Sequence, residues 1–274
     1  LCMQTQQYLR DEQDPLKLLV MSATLDAAAV SRLLDDAPLV SSEGRQYPVQ
    51  IHHGSALAPG QPIEPVLEQL VLQALATDSG SLLVFLPGAA EIRRLQSRLE
   101  TALADAPDVD VTPLYGDLDF AAQRAAISPA PPGRRKVVLA TPIAETSLTI
   151  DGVRVVIDSG LCREPAFDPV SGMTRLHTRR ISRAAAEQRA GRAGRTEPGV
   201  CYRLWSVDQH AQLAAQSPAE ILQADLAPLA LQLARWGVDD PAELVWLDPP
   251  PAAALRQGRD LLVQLGALEC RGSG

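Results

Sequence analysis

Short apolar runs alternate along this chain with stretches whose apolar residues recur every three or four positions. Runs of the first kind read as strands covered on both faces, and stretches of the second kind as helices that bury one stripe. The predicted strands are LKLLVM (16–21), SLLVFL (81–86), VDVTPLY (109–115), RKVVLAT (135–141), VRVVID (153–158) and GVCYRLW (199–205). Within AEIRRLQSRLETAL, Ile92, Leu95, Leu99 and Leu103 share one helical face, which predicts a crossover helix, and a second helix is expected just before Ile127. This alternation is that of an α/β fold with a parallel sheet.

Pro129, Pro131, Pro132 and Gly133 mark a surface loop before the strand at 135. In AFDPVSGMTRLHTR, a turn over Asp168–Gly172 between two extended pieces predicts a β-hairpin whose second arm carries Arg175, His177 and Arg179 on one face. After about Asp208 the pattern becomes helical, in ILQADLAPLALQLARWG and PPAAALRQGRDLLVQLG, each stopped by a glycine. A second, small helical domain is expected there.

The 274 residues, 46% of them hydrophobic, suffice for one α/β core and a smaller satellite. A formal net charge of -8 and 4% aromatic residues argue against a protein that coats nucleic acid through a broad basic face, so any such contact must be local. Cys2, Cys162, Cys201 and Cys270 stand far apart with no paired C-x-x-C, which points to free thiols in a reducing cytoplasm and to neither a metal site nor a disulfide framework. No apolar run approaches the roughly 20 residues that span a bilayer. Residue 1 is Leu, and the expectation is of a chain that begins within a longer protein.

The most distinctive stretch is QRAGRAGR, Gln188–Arg195. If 181–195 is helical, Gln188, Arg192 and Arg195 lie within about 60° of one another while Arg189 points roughly 100° away. Two guanidiniums and an amide on one face make a multi-donor clamp for phosphate oxygens. Glycine within a helix costs about 1 kcal/mol against alanine, so Gly191 and Gly194 point to close approach of another backbone or a ligand.

QRAGRAGR resembles motif VI of the superfamily 2 helicases, in their DEAH/DExH branch. Other blocks follow in that branch's order: VMSATLD (20–26) is similar to motif III, LVFLPGAAEI (83–92) to motif IV and ATPIAETSLTIDGV (140–153) to motif V, with Asp158-Ser159-Gly160 after it. RRKVVLATPIAETSLTIDGVRVVIDSG and WLDPPPAAAL look most like the bacterial HrpB-type helicases. The resemblance implies the end of a first RecA-like lobe at 1–44, a second RecA-like lobe at 45–208 and the start of a winged-helix domain at 209–274.

It also implies roles. Arg192 and Arg195 would be arginine fingers on the γ-phosphate of ATP, and Gln188 would help place the attacking water; Arg189 would be structural. Ser147 and Asp151, one helical turn apart, would sense the γ-phosphate and contact ribose or water, Ile127 would cover the base, and Thr141 would touch the RNA backbone. Ser22 and Thr24 would couple nucleotide state to lobe movement, and the 168–178 hairpin resembles one that separates or guides strands. Pro142 stands where this branch commonly has Asn, which removes one backbone contact, and Ile127 stands where an aromatic residue often lies, which loosens base preference.

ATP hydrolysis in this fold needs G-x-x-x-x-G-K-[ST]. The chain's two lysines, Lys17 and Lys136, do not follow a glycine, so there is no P-loop here. Asp11-Glu12-Gln13-Asp14 precedes Pro15 and follows no apolar strand, and reads as a solvated loop rather than a metal box. The implied activity is therefore that of a larger ATP-dependent RNA helicase moving 3′ to 5′, with the ATP phosphates and Mg2+ held mainly by another lobe and this piece inactive alone. A non-catalytic RNA-binding adaptor and a DNA-directed helicase remain open, since sugar–phosphate contacts do not separate RNA from DNA.

Overall fold

The structure is a computed structural model that describes residues 17–21, 27–41, 47–56, 58, 60–146, 150–168 and 171–269. It divides into two compact units, one of Glu43–Pro165 and Leu176–Ser217, the other of Leu1–Ser42, Ala166–Arg175 and Pro218–Gly274.

The first unit is built on six strands: β1 (Val49–His53), β2 (Ser81–Phe85), β3 (Val109–Leu114), β4 (Arg135–Ala140), β5 (Val153–Asp158) and β8 (Gly199–Arg203). They run in the order β1-β8-β5-β2-β4-β3, and every pair is parallel. Five of them are predicted strands. Every residue of β2 is buried, and β4 and β5 nearly so, as unbroken apolar runs in the middle of a parallel sheet require. Pro113, which cannot donate to a ladder, sits in β3 at the sheet's edge.

Crossover helices cover both faces. On one, Leu67, Val71 and Ala74 of α2 (Glu64–Thr77) and Ile92, Leu95 and Leu99 of α3 (Ala89–Ala102) pack on Leu82, Val84, Leu139 and Ile157. On the other, α4 (Phe120–Ile127), α5 (Ile143–Thr146) and α6 (Arg183–Ala190) contribute Ala126, Ala144 and Ala190 over Leu83, Phe85, Val138 and Val156. The small alanine contacts let the elements carrying the motif V and motif VI blocks lie close to the sheet. After β8 comes α7 (Val207–Ala211), opened by a capping box between Ser206 and Gln209.

The predicted hairpin is present as β6 (Leu161–Asp168) and β7 (Met173–Arg180), a sheet of their own. Gly172 takes φ 64 at its turn, where Ser171 Oγ donates to Asp168 Oδ2 at 2.6 Å. Every residue of β7, Arg175, His177 and Arg179 among them, is exposed.

The second unit holds α1 (Ala27–Leu33), α8 (Ala227–Arg235) and α9 (Ala252–Gln264). Leu226, Ala230, Leu233, Val238, Leu255 and Leu262 form its core, and Gly258 lies so close to α8 that a Cβ would meet the Ala227 nitrogen at 2.8 Å. Gly237 and Gly266, at φ 74 and 69, end the two longer helices as expected.

One strand expectation fails. Residues 17–21 form no strand, and Leu19 and Met21 are 80% and 81% exposed. An apolar run becomes a strand only where a neighbour completes its ladder, and no described strand pairs with this one. Ser22 and Thr24 lie outside the described residues, as do Cys2 and Cys270. No described helix is long and apolar enough to cross a membrane.

Candidate nucleotide-phosphate site

The helix expected over 181–195 stops at Ala190. Ser182 opens it by accepting from the Ala185 N–H, and beyond Gly191 the chain tightens into a turn in which Arg192, Ala193 and Gly194 donate to carbonyls three residues back. The reason is tertiary. Tyr47 N–H donates to Gly194 O at 2.9 Å, and a Cβ on Gly194 would meet Tyr47 O at 2.5 Å. The close approach expected of this glycine is thus to the chain leading into β1, and it pulls the last arginines off the helical stripe.

Arg192 and Arg195 nonetheless converge. With Leu83, Ala144, Ile150 and Val153 they line one pocket on the α4–α5–α6 face, Arg192 buried and Arg195 exposed. Burial, with Arg195 nearby, lowers the Arg192 guanidinium to about 10, and Glu145 acts in the opposite direction. Arg192 therefore stays charged at neutral pH, with Arg195 as a like charge and Glu145 as an opposite one near it. Gln188 is half-buried on α6.

Arg189 has a different fate. It is fully buried, with Nη1 2.8 Å from Asp158 Oδ1 and Nε 2.6 Å from Glu145 Oε1, and its guanidinium lies 4.8 Å from the centre of the Phe85 ring. Burial opposes its charge, but Asp158 and Glu145 hold it above its ordinary value. Burial likewise pushes the Glu145 carboxyl up, against the pull of Arg189. The far side of α6 is held by Arg203, which donates to Glu187 at 2.8 Å and lies 5.6 Å from the Trp205 ring centre.

Thr141 follows β4 at the carboxyl end of the sheet, half-buried, its N–H bonded to Leu114 O at 3.1 Å. Ile127 ends α4 and packs, partly buried, on the same hydrophobic cluster that holds Leu83, Ala144, Ile150 and Val153. Asp151 is exposed in the turn into β5, where Gly152 takes φ 76, so it does not stand on a helix as expected. Ser147 lies outside the described residues. No cluster of three or more His, Cys, Asp or Glu able to hold a metal occurs among the described residues.

Residues 64–197 match the helicase conserved C-terminal domain. Over 98% of its length the chain is 49% identical to the ATP-dependent RNA helicase HrpB of Escherichia coli (strain K12), and over 96% it is 38% identical to the probable ATP-dependent RNA helicase DHX34 of Homo sapiens. Over almost its whole length the chain is thus similar to helicases of the DEAH/DExH-box branch. Its fold superposes on crystal structures of E. coli HrpB, described as a DExH-box NTPase and as a DEAH/RHA helicase, with TM-scores of 0.87 and 0.90, 49% identity and 98% of this chain covered. It spans 32% and 34% of those chains, and 32% and 24% of the lengths of HrpB and DHX34. The six-stranded unit is accordingly the RecA-like α/β fold of a helicase C-terminal region.

In the sequence Phe85, Glu145 and Asp158 stand only within longer blocks, which give none of them a partner; the structure brings all three to Arg189. Nothing in the spacing pairs residue 145 or 158 with 189.

Proposed function

We propose that this chain supplies the second RecA-like lobe of an ATP-dependent RNA helicase, with the arginine half of its nucleotide site. The observation that carries the reading is the convergence of Arg192 and Arg195 on one pocket, two like charges with one of them buried. They would bind the γ-phosphate of ATP held by another lobe and neutralise charge as it develops in the transition state. Gln188, on the helix that ends at this turn, would orient the attacking water.

Ile127, packed in the cluster beside the pocket, would cover the base with an aliphatic surface. Ser147 and Asp151 would contact the γ-phosphate and ribose, and Thr141, at the carboxyl end of the sheet, the RNA backbone. Ser22 and Thr24 would couple nucleotide state to lobe movement. The divisions at 1–44, 45–208 and 209–274 would correspond to the end of lobe 1, lobe 2 and the start of a winged-helix domain. Mg2+ would be held outside this chain together with most of the triphosphate, and translocation would run 3′ to 5′ on single-stranded RNA. The reading is tested by RNA-stimulated ATP turnover of Arg192→Ala and Arg195→Ala in the whole protein, which falls by orders of magnitude if they are fingers and stays at the wild-type rate if they are a solvated basic turn.

A further inference from the structure

Glu145 is where two contacts to the arginine motif converge. Its carboxylate accepts from Nε of Arg189 at 2.6 Å and lies 2.5 Å from Nη2 of the same guanidinium, and its main-chain carbonyl accepts from Nη2 of Arg192. Glu145 lies in helix α5, described over Ile143–Thr146, and Arg192 lines one pocket with Arg195 and with Ala144 of the same helix. Asp158 completes the arrangement, its Oδ1 accepting from both Arg189 Nη1 at 2.8 Å and the Gly160 N–H at 2.9 Å.

We infer that Glu145 is a positioning residue for phosphate binding: its side chain fixes helix α6 through Arg189 while its backbone sets the direction of Arg192. The inference rests on the reading of Arg192 as a phosphate-binding arginine. Glu145 itself faces Arg189, not the pocket, and acts through the arginines. Neutralising its carboxylate leaves Asp158 as the carboxylate facing Arg189, lets α5 shift, and carries the carbonyl that holds Arg192 with it. Misplacement of a binding group by about 1 Å costs on the order of a hundredfold in rate.

The test is a double-mutant cycle in the whole protein over wild type, Glu145→Gln, Arg192→Ala and the pair, reading RNA-stimulated ATP turnover and nucleotide-free RNA affinity. Glu145→Gln is expected to lower kcat about tenfold or more with RNA affinity retained, and in the Arg192→Ala background its further effect is expected to shrink below about twofold. An equal fold-loss in both backgrounds overturns the inference, because a merely structural residue acts independently of Arg192. Wild-type turnover by Arg192→Ala alone overturns instead the phosphate reading beneath it. Should Glu145→Gln not fold, Glu145→Asp, which keeps the charge but draws the carboxylate back from Arg189, takes its place in the same comparison with the same two outcomes.

Discussion

The guanidinium of Arg189 and the carboxylate of Asp158 meet at 2.8 Å with neither side chain exposed to solvent. This contact ties the helix carrying the arginine motif to the end of a central strand, and Glu145 extends it to α5. Removing Asp158 leaves the buried Arg189 guanidinium with Glu145 as its carboxylate partner and takes the acceptor from the Gly160 N–H. Asp158→Ala is expected to destabilise the chain by about 1.5–3 kcal/mol in denaturant unfolding, the range of a lost hydrogen bond to a charged group. A loss below about 0.5 kcal/mol, the range of an ordinary surface change, contradicts the buried pairing.

Gly194 is expected to tolerate no side chain, because a Cβ there meets Tyr47 O at 2.5 Å. Gly194→Ala should cost about 1–3 kcal/mol, as overpacking does, and should lower ATP turnover of the whole protein by shifting the arginine turn. Gly116→Ala is the control: nothing lies within 4 Å of its added carbon, and the change should stay within about 0.5 kcal/mol. Equal losses at the two sites contradict the seating of the turn on Tyr47.

The thiol of Cys162 is pushed up to about 12 by burial and by Glu164, and that of Cys201 upward by burial. A folded-state pKa raised above the unfolded value means that the unfolded chain loses its proton first. The contribution to stability is therefore complete below about pH 9 and is lost as pH rises through about 12. Alkylation at pH 8 followed by mass spectrometry should leave both cysteines unmodified in the folded chain and label both in urea. Rapid labelling of Cys162 without denaturant contradicts the assignment.

The isolated chain is expected neither to bind ATP tightly nor to hydrolyse it, since its sequence contains no G-x-x-x-x-G-K-[ST]. Magnesium-dependent turnover by purified 1–274 that Arg195→Ala abolishes contradicts this expectation.

Much of the sheet was legible because β2, β4 and β5 are buried on both faces and so written as unbroken apolar runs. Strand β1 was not. VQIHH becomes a strand through its register with β8 across Val49–Gly199 to His53–Arg203, information that lies 150 residues away. Helix α2 was missed because Val66, Leu67, Leu70, Val71 and Leu75 surround it with apolar residues and blur the stripe. The arginines of the site were legible as a spelling, but the end of their helix was not, since Tyr47 decides it. The hold of Glu145 on Arg189 likewise depends on packing that brings residue 145 beside 189.

The central claim, that Arg192 and Arg195 complete an ATPase site, is tested most directly by RNA-stimulated ATP hydrolysis of Arg195→Ala in the whole protein, measured beside its RNA affinity without nucleotide. The account predicts a fall in kcat of about 10³-fold or more, the magnitude associated with an arginine finger, with RNA affinity unchanged and with Arg183→Ala, exposed at the start of helix α6, behaving as wild type. Turnover by Arg195→Ala equal to that of Arg183→Ala contradicts it.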